Sequence, residues 1–313
     1  MTTANITQEV RFAVVLYGGV SLCIYISGVT DELLAMVHAT ALKADDTPLY
    51  PHPKGSAAVY RRIAQYLDTD STDFALLEQS IPGAPLRTQF IVDVISGTSA
   101  GGLNGLFLAK AMARHAGMDG LKKLWLEEGD IQRLLNDSES LQTNGKKEAG
   151  LSNPDEPESL LNSQRMYKKL LAVLDTMETS TPEAQEAVKE GNPPKAAAEQ
   201  IDLYVTTTDL GGLPIKLKLA NTVASERRHR SVFHFRYSTQ EAGKEQDDFI
   251  RANNPFLAFT GRCTSSFPFA FEPMRLIDIE PILENWSDSE GKNPYRPGSG
   301  WPNTWEAFYP DYV

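Results

Sequence analysis

The first apolar run of the chain, Phe12-Ala13-Val14-Val15-Leu16, is continuous and of strand length, as expected where helices cover both faces of a parallel sheet. Gly18-Gly19 end it. From Leu22 to about His38 apolar residues return at helical spacing (Ile26, Val29, Leu33, Leu34, Val37), so the first unit reads strand, glycine turn, helix. A second unit repeats the order. Phe90 to Ile95 is a buried-type strand, Ser96 to Gly102 a small-residue turn, and Leu103 to Arg114 a helix rich in Leu and Ala. Further along, Ile201 to Thr208 is β-branched and aromatic and predicts a strand ending at a turn over Asp209-Leu210-Gly211-Gly212. The alternating run Val232 to Tyr237 predicts another, and the basic cluster Arg227-Arg228-His229-Arg230 before it reads as a solvated strand end.

The remaining segments read as additions to one α/β domain. Tyr60 to Tyr66 predicts a helix, and Asp68 to Asp73 a polar turn with capping residues. Asn136 to Ser159 is polar and turn-rich, Met166 to Met177 predicts an amphipathic helix with its apolar face in the core, and Thr179 to Ala198 is rich in Pro, Glu and Ala. These are surface excursions, not domain boundaries, and no internal repeat is present. Phe12 to Val29 approaches membrane-span length, but its three glycines and two serines fit a strand, a turn and a buried helix better. No basic or apolar leader precedes it, so no cleaved secretory signal is expected.

Composition narrows the chemistry. The 313 residues are 41% hydrophobic, enough for a substantial core. Thirty Lys and Arg against 41 Asp and Glu leave a net charge of −11, which opposes phosphate backbones and anionic bilayers and excludes nucleic acid as the expected partner. With two cysteines, Cys23 and Cys263, there is neither a disulfide framework nor a paired-cysteine metal site, which fits a reducing compartment; no metal or cofactor is expected.

The candidate chemistry lies at Gly97-Thr98-Ser99-Ala100-Gly101, a GxSxG pattern in which a sharp strand-to-helix turn lifts a serine hydroxyl out of the sheet. The bare pattern arises by chance in roughly one chain in ten of this length. Its context is what makes it informative, since an apolar strand directly precedes it and a helix directly follows. Gly97 and Gly101 keep side chains out of the tight elbow, and the free N–H groups at the helix start lie where an oxyanion develops beside Ser99. Gly18-Gly19 would supply the other half of that anion site; in acyl hydrolases the loss of one such donor costs about 2.7–4 kcal/mol. The competing reading, a dinucleotide or phosphate loop, lacks both GxGxxG and a P-loop lysine.

These residues resemble the patatin-like phospholipases in four blocks. They are Gly18-Gly19-Val20-Ser21-Leu22-Cys23 followed by Gly28-Val29, then Asp93 to Asn104 around Ser99, Val205 to Leu210, and Cys263-Thr264-Ser265-Ser266-Phe267-Pro268. The Gly-Gly-Val-Ser turn is similar to a bacterial patatin-related branch. The resemblance implies a three-layer α/β/α domain with a mainly parallel central sheet, spanning residues 1–313. It also implies a Ser-Asp dyad with Ser99 as nucleophile, and an oxyanion hole from the backbone N–H groups around Gly18, Gly19, Val20 and Ala100. The substrate implied is a phospholipid, lysophospholipid or other acyl lipid; with the reducing compartment and the lack of a leader, the expectation is a cytoplasmic protein in peripheral contact with a membrane.

Two motifs depart from the family. Val20, Leu22 and Cys23 stand where many members have a third glycine, a basic residue and another glycine. No D-G-[GA] follows the fourth block; the pair Asp119-Gly120 sits just past the nucleophile helix and reads as a helix-joining turn. Asp209, Asp278 and Asp311 are the acids left, and the expectation is that the domain is truncated at its C-terminal end with the dyad aspartate beyond residue 313. Two alternatives stay open. One is a lipid-binding or interaction module without activity, and the other an α/β-hydrolase triad drawing on His38, His52, His115, His229 or His234. Of these, His115 lies about four turns along the nucleophile helix, about 24 Å from Ser99, and cannot be its base.

Overall fold

The computed structural model describes residues 8–69, 86–128, 131–138, 141–143, 146–147, 151, 158–218, 220–239, 246–287 and 291–295. Strand β1 (Gln8–Leu16) leads through a 3-10 turn (Val20–Leu22) into helix α1 (Cys23–Ala39), then α2 (Ser56–Leu67). Strand β2 (Thr88–Thr98) passes into α3 (Ala100–Arg114), followed by α4 (Asp119–Glu128), α5 (Ile131–Leu134) and the two-residue strands β3 (Gln142–Thr143) and β4 (Lys146–Lys147). Helices α6 (Ser163–Thr176) and α7 (Pro182–Lys189) precede the long strands β5 (Gln200–Lys218) and β6 (Val223–Ser238). A short β7 (Gln246–Asp247), α8 (Asn254–Ser265) and α9 (Glu280–Glu284) follow, with 3-10 turns at Arg251–Asn253 and Leu276–Asp278.

The main sheet runs β1-β2-β5-β6-β7, with β1, β2 and β5 mutually parallel and β6 and β7 antiparallel to their neighbours. This mixed sheet with a parallel core and flanking helices is the expected α/β class, consistent with a three-layer patatin-like arrangement. Its best-covered face carries Leu16, Ile95, Leu203, Val205, Phe233 and Phe235, all buried. The backbone of α3 presses on that face at Gly105, where an added Cβ would lie 2.9 Å from Ile95. Helix α8 joins it through Phe256, whose ring meets Phe233 at 5.6 Å and Phe235 at 5.9 Å, within the range of favourable aromatic pairs.

The far end of α3 is fixed by a polar clamp. Lys110 is fully buried, yet its ammonium donates to Glu178 Oε1 (2.6 Å), the Phe249 carbonyl (2.8 Å) and Asn254 Oδ1 (2.7 Å), which uses all three protons. Burial pulls its pKa down and the Glu178 carboxylate pulls it back up. A buried charge is tolerable when it is paired and fully hydrogen-bonded. Asn254 extends the clamp to Asp175 (2.9 Å), which accepts the Trp286 indole N–H (3.1 Å), so Trp286 packs into the core. Trp301, Trp305 and Tyr309 lie outside the described residues.

Several boundaries differ from those expected. The turn expected over Ser96–Gly102 narrows to Ser99, because β2 pairs with β5 as far as Thr98 and α3 already starts at Ala100. No reversal occurs at Asp209–Gly212; a bulge between Thr208 and Leu213, with Gly212 at φ 67°, carries the strand on into a long arm paired to Val223–Arg228. The basic cluster Arg227–Arg230 lies on this solvated arm, where Arg227 donates to the Gly211 carbonyl. β1 is an edge strand, and Ala13 and Val15 are exposed on the face opposite α3, so its unbroken apolar run does not reflect cover on both sides among the described residues. The stretch Phe12–Val29 divides into strand, turn and helix, and no helix among the described residues is long and apolar enough to cross a membrane. Met166–Met177 falls on α6, which buries Met166, Tyr167, Leu170, Leu171 and Leu174, and Asp119-Gly120 opens α4 against Thr176 and Val173.

On α1, His38 stacks on Tyr50 (centroids 4.6 Å apart), and burial, with His115 nearby, lowers its pKa to about 4. The folded protein therefore keeps it neutral where the unfolded chain, with an ordinary value near 6.5, takes up a proton. Its contribution is whole above about pH 6.5 and is lost as pH falls toward 4. We expect urea midpoints to fall across that window by the equivalent of about 1–3 kcal/mol more in the wild type than in His38→Phe, which keeps the stacking without the titration. Parallel pH curves for the two proteins would contradict this.

Candidate functional site

Ser99 sits between β2 and α3 with φ 55° and ψ −125°, a conformation costly for any residue with a Cβ and characteristic of functional turns. The surrounding glycines show why the chain bends there. A Cβ on Gly97 would lie 2.5 Å from the Gly101 carbonyl oxygen, and one on Gly101 only 2.1 Å from that of Leu16. Both approaches involve backbone, which cannot swing aside. Gly18 faces the serine itself, since its Cβ would lie 2.8 Å from Ser99 Cβ and 3.5 Å from Oγ. Of the sequence-predicted residues, the structure thus brings Gly18, Gly97, Ser99 and Gly101 into one tight cluster, with Ala100 as the first residue of α3.

Backbone N–H groups outside the helical ladder open α3. The first intrahelical bond of α3 runs from Leu103 N–H to the Ser99 carbonyl (2.9 Å), so the N–H groups of Ala100, Gly101 and Gly102 precede the helical ladder. On the other side Gly19 adopts φ 153°, and the Leu22 N–H returns to its carbonyl (3.0 Å), shaping the turn that carries Val20. Asn104 ties the two segments together: its Nδ2 donates to the Ala100 carbonyl (2.9 Å) and to that of Cys23 (3.2 Å). Burial raises the thiol pKa of Cys23 to about 11 and that of Cys263 to about 12, so both remain neutral thiols.

Two residues of the site carry roles that the sequence did not reveal. Asn104 is one; Thr264 is the other, accepting the Ser99 N–H (2.7 Å) and donating to the Thr206 carbonyl (2.8 Å). Both fell inside blocks singled out by resemblance, yet their bonds join segments 81 and 165 positions apart, and no local pattern encodes such a pairing.

The expected proton acceptors lie elsewhere. Among the described residues, no carboxylate or imidazole hydrogen-bonds to the Ser99 hydroxyl. His115 caps the far end of α3, His229 pairs with the Asp209 carbonyl on the exposed arm, and His234 binds Asp202 (2.6 Å). Asp278 closes a capping box with Arg275, while Asp311 is outside the described residues. No group of three His, Cys, Asp or Glu able to hold a metal ion occurs among the described residues.

Exposed apolar side chains accompany the two segments that reach the serine. Tyr17, Leu22, Ile24 and Tyr25 accompany the glycine turn, and Phe267 and Phe269 follow α8, which reaches Ser99 through Thr264.

The family model described as patatin-like phospholipase matches residues 75–288. The uncharacterized membrane protein Rv3479 of Mycobacterium tuberculosis is 30% identical over 302 residues, covering 93% of this chain and 23% of the relative, so the chain spans under a quarter of that relative's length. No solved structure matches.

The glycine contacts set a graded expectation. Gly101→Ala drives a methyl into the Leu16 carbonyl and is expected to cost about 3 kcal/mol or more. Gly28→Ala, on the exposed side of α1 with nothing within 4 Å, is expected to gain about 0.5–1 kcal/mol. Thermal or urea melts of the two variants beside the wild type check both signs.

Proposed function

The chain belongs to the patatin-like phospholipase family, and on that footing we propose that it is a serine acyl hydrolase of phospholipase A or lysophospholipase type, with Ser99 as nucleophile. The observation that carries this reading is the positive-φ elbow of Ser99 pressed against Gly18. Ser99 Oγ attacks the ester carbonyl carbon while its proton passes to an aspartate, and the carbonyl oxygen becomes an oxyanion. The N–H groups of Gly19, Val20 and Ala100 receive that charge; a donor fixed before the reaction costs no reorganisation when the charge develops. Collapse expels the alcohol, which takes the proton, and leaves an acyl-serine. Water, activated by the same aspartate, then releases the fatty acid and restores Ser99.

The base in this reading is an aspartate of polypeptide following residue 313; among the described residues, Asp209 accepts the Gly211 N–H and Asp278 that of Arg275. The exposed apolar side chains of the segments that reach Ser99 suit acyl chains, and a net charge of −11 favours zwitterionic or neutral lipid over an anionic surface. The protein then works from the cytoplasm, meeting lipid at the membrane periphery.

A fluorophosphonate probe, which mimics the tetrahedral state, is expected to label Ser99 in a polypeptide extended past Val313, and Ser99→Ala to abolish the labelling. Labelling that survives in the variant would place the nucleophile elsewhere. The 313-residue chain alone should hydrolyse a p-nitrophenyl ester about 10²–10⁴-fold more slowly than the extended polypeptide, the usual contribution of proton transfer. Equal, Ser99-dependent rates would show that the base lies within these residues, and an extended polypeptide that binds lipid without labelling would favour a non-catalytic module.

A further inference from the structure

The strained elbow needs something to hold it, and the contacts of Thr264 single that residue out. Its hydroxyl has one proton, which goes to the Thr206 carbonyl at 2.8 Å. That donation turns an oxygen lone pair toward Ser99, whose N–H it accepts at 2.7 Å. The side chain cannot easily rotate away: it is 9% exposed, and both its Cγ2 and its Oγ1 lie 3.0 Å from where a Cβ on Gly102 would be. One side chain of α8 therefore joins β5 to the peptide between β2 and α3.

That peptide carries the strain of the elbow. A flip of the Thr98–Ser99 amide would let Ser99 leave φ 55° for an unstrained negative value and would swing away the Thr98 carbonyl oxygen, which lies 3.1 Å from where a Cβ on Gly18 would be. It would also remove the Ser99 N–H from its acceptor inside a mostly buried cluster, which opposes the flip. A conformation of this kind persists only where its surroundings over-determine it. We infer that Thr264 is a positioning residue of the hydrolase, holding the Ser99 amide so that the elbow keeps its positive φ and the Thr98 carbonyl stays turned to Gly18 while Ala100 N–H remains free for the oxyanion. The hydroxyl of Thr264 touches no reacting atom, so its effect is on geometry alone. This inference rests on Ser99 being the nucleophile.

Three substitutions test it in the extended polypeptide: Thr264→Val keeps the shape without the acceptor, Thr264→Ser keeps the acceptor without the methyl, and Thr264→Ala keeps neither. Fluorophosphonate labelling at saturating probe is expected to slow about 10²-fold in Val and Ala, the scale of a misplaced reacting group, with little change in the concentration for half-maximal rate. The Ser variant should stay within a few fold of wild type. Ser99 amide hydrogen exchange, followed in the 313-residue chain, should be slow in wild type and Thr264→Ser and fast in the other two. Wild-type labelling and exchange in Thr264→Val would overturn the inference, as would a Ser variant as slow as Val, which would assign the effect to the methyl. If Val does not fold, the contrast between Ser and Ala decides in the same way. The exchange measurement requires no chemistry, so failure of wild-type Ser99 to label would remove the nucleophile reading while leaving the hold of Thr264 on the elbow to be judged separately.

Discussion

Everything at the centre of this molecule depends on how closely two pieces of backbone approach one another. Helix α3 begins so near the end of β1 that a methyl on Gly101 would lie 2.1 Å from the Leu16 carbonyl oxygen, and the strand before it bends so tightly that Gly97 faces the same helix. Only glycine permits both contacts. With those distances fixed, Ser99 is forced to positive φ, and the end of β1 delivers Gly18 directly against it. The close approach thus creates the serine's strained conformation and its glycine neighbour in one step.

Such an arrangement is stable only if α3 cannot recede. Its first turn is held by Asn104, which binds the Ala100 and Cys23 carbonyls, and its middle by Gly105 against Ile95. Near its end Lys110 is secured by three hydrogen bonds to segments far away in sequence. Removing one partner of a buried, fully bonded charge leaves the other unsatisfied, commonly at a cost of about 3–5 kcal/mol. The polar clamp therefore resists the sliding that would relax the elbow, and packing around the site and geometry within it are one problem, not two.

The sequence showed the elbow clearly, because the demands there are local: glycines flank one serine between an apolar strand and a helix. It showed the glycine turn for the same reason. It placed the helix start three residues late, since Ala100, Gly101 and Gly102 have small side chains and no apolar periodicity, although the first helical bond already forms from Leu103 to Ser99. It read Asp209–Gly212 as a reversal because turn residues and a bulge share the same composition; only the pairing of Leu213–Lys218 with Val223–Arg228 separates them. Thr264, Asn104 and Lys110 were invisible as structural devices, for each acts across more than 65 positions of chain.

The position of a histidine–carboxylate pair among the described residues bears on which mechanism the site can run. His234 and Asp202 face one another at 2.6 Å, with Arg236 also on the carboxylate and Tyr204 stacked on the imidazole at 4.4 Å. Burial alone would push Asp202 up, but hydrogen bonds from His234, Gln200 and Arg236 outweigh it and hold the carboxylate low. The pair has the chemistry of a triad without its geometry. Tyr204 pairs with Ser96, three residues short of Ser99, and His234 lies on the strand beyond Tyr204. At about 3.3 Å per residue along a strand and about 4.8 Å between strands, the His234 backbone is roughly 14 Å from that of Ser99. The Nε2 of His234 moreover faces Asp202, which pairs with Val94, farther still from Ser99. A general base must come within about 3.2 Å of the hydroxyl or act through one water. His234 is therefore part of a structural pair on the sheet, and with His115 at the other end of α3 neither imidazole can take the proton of the Ser99 hydroxyl.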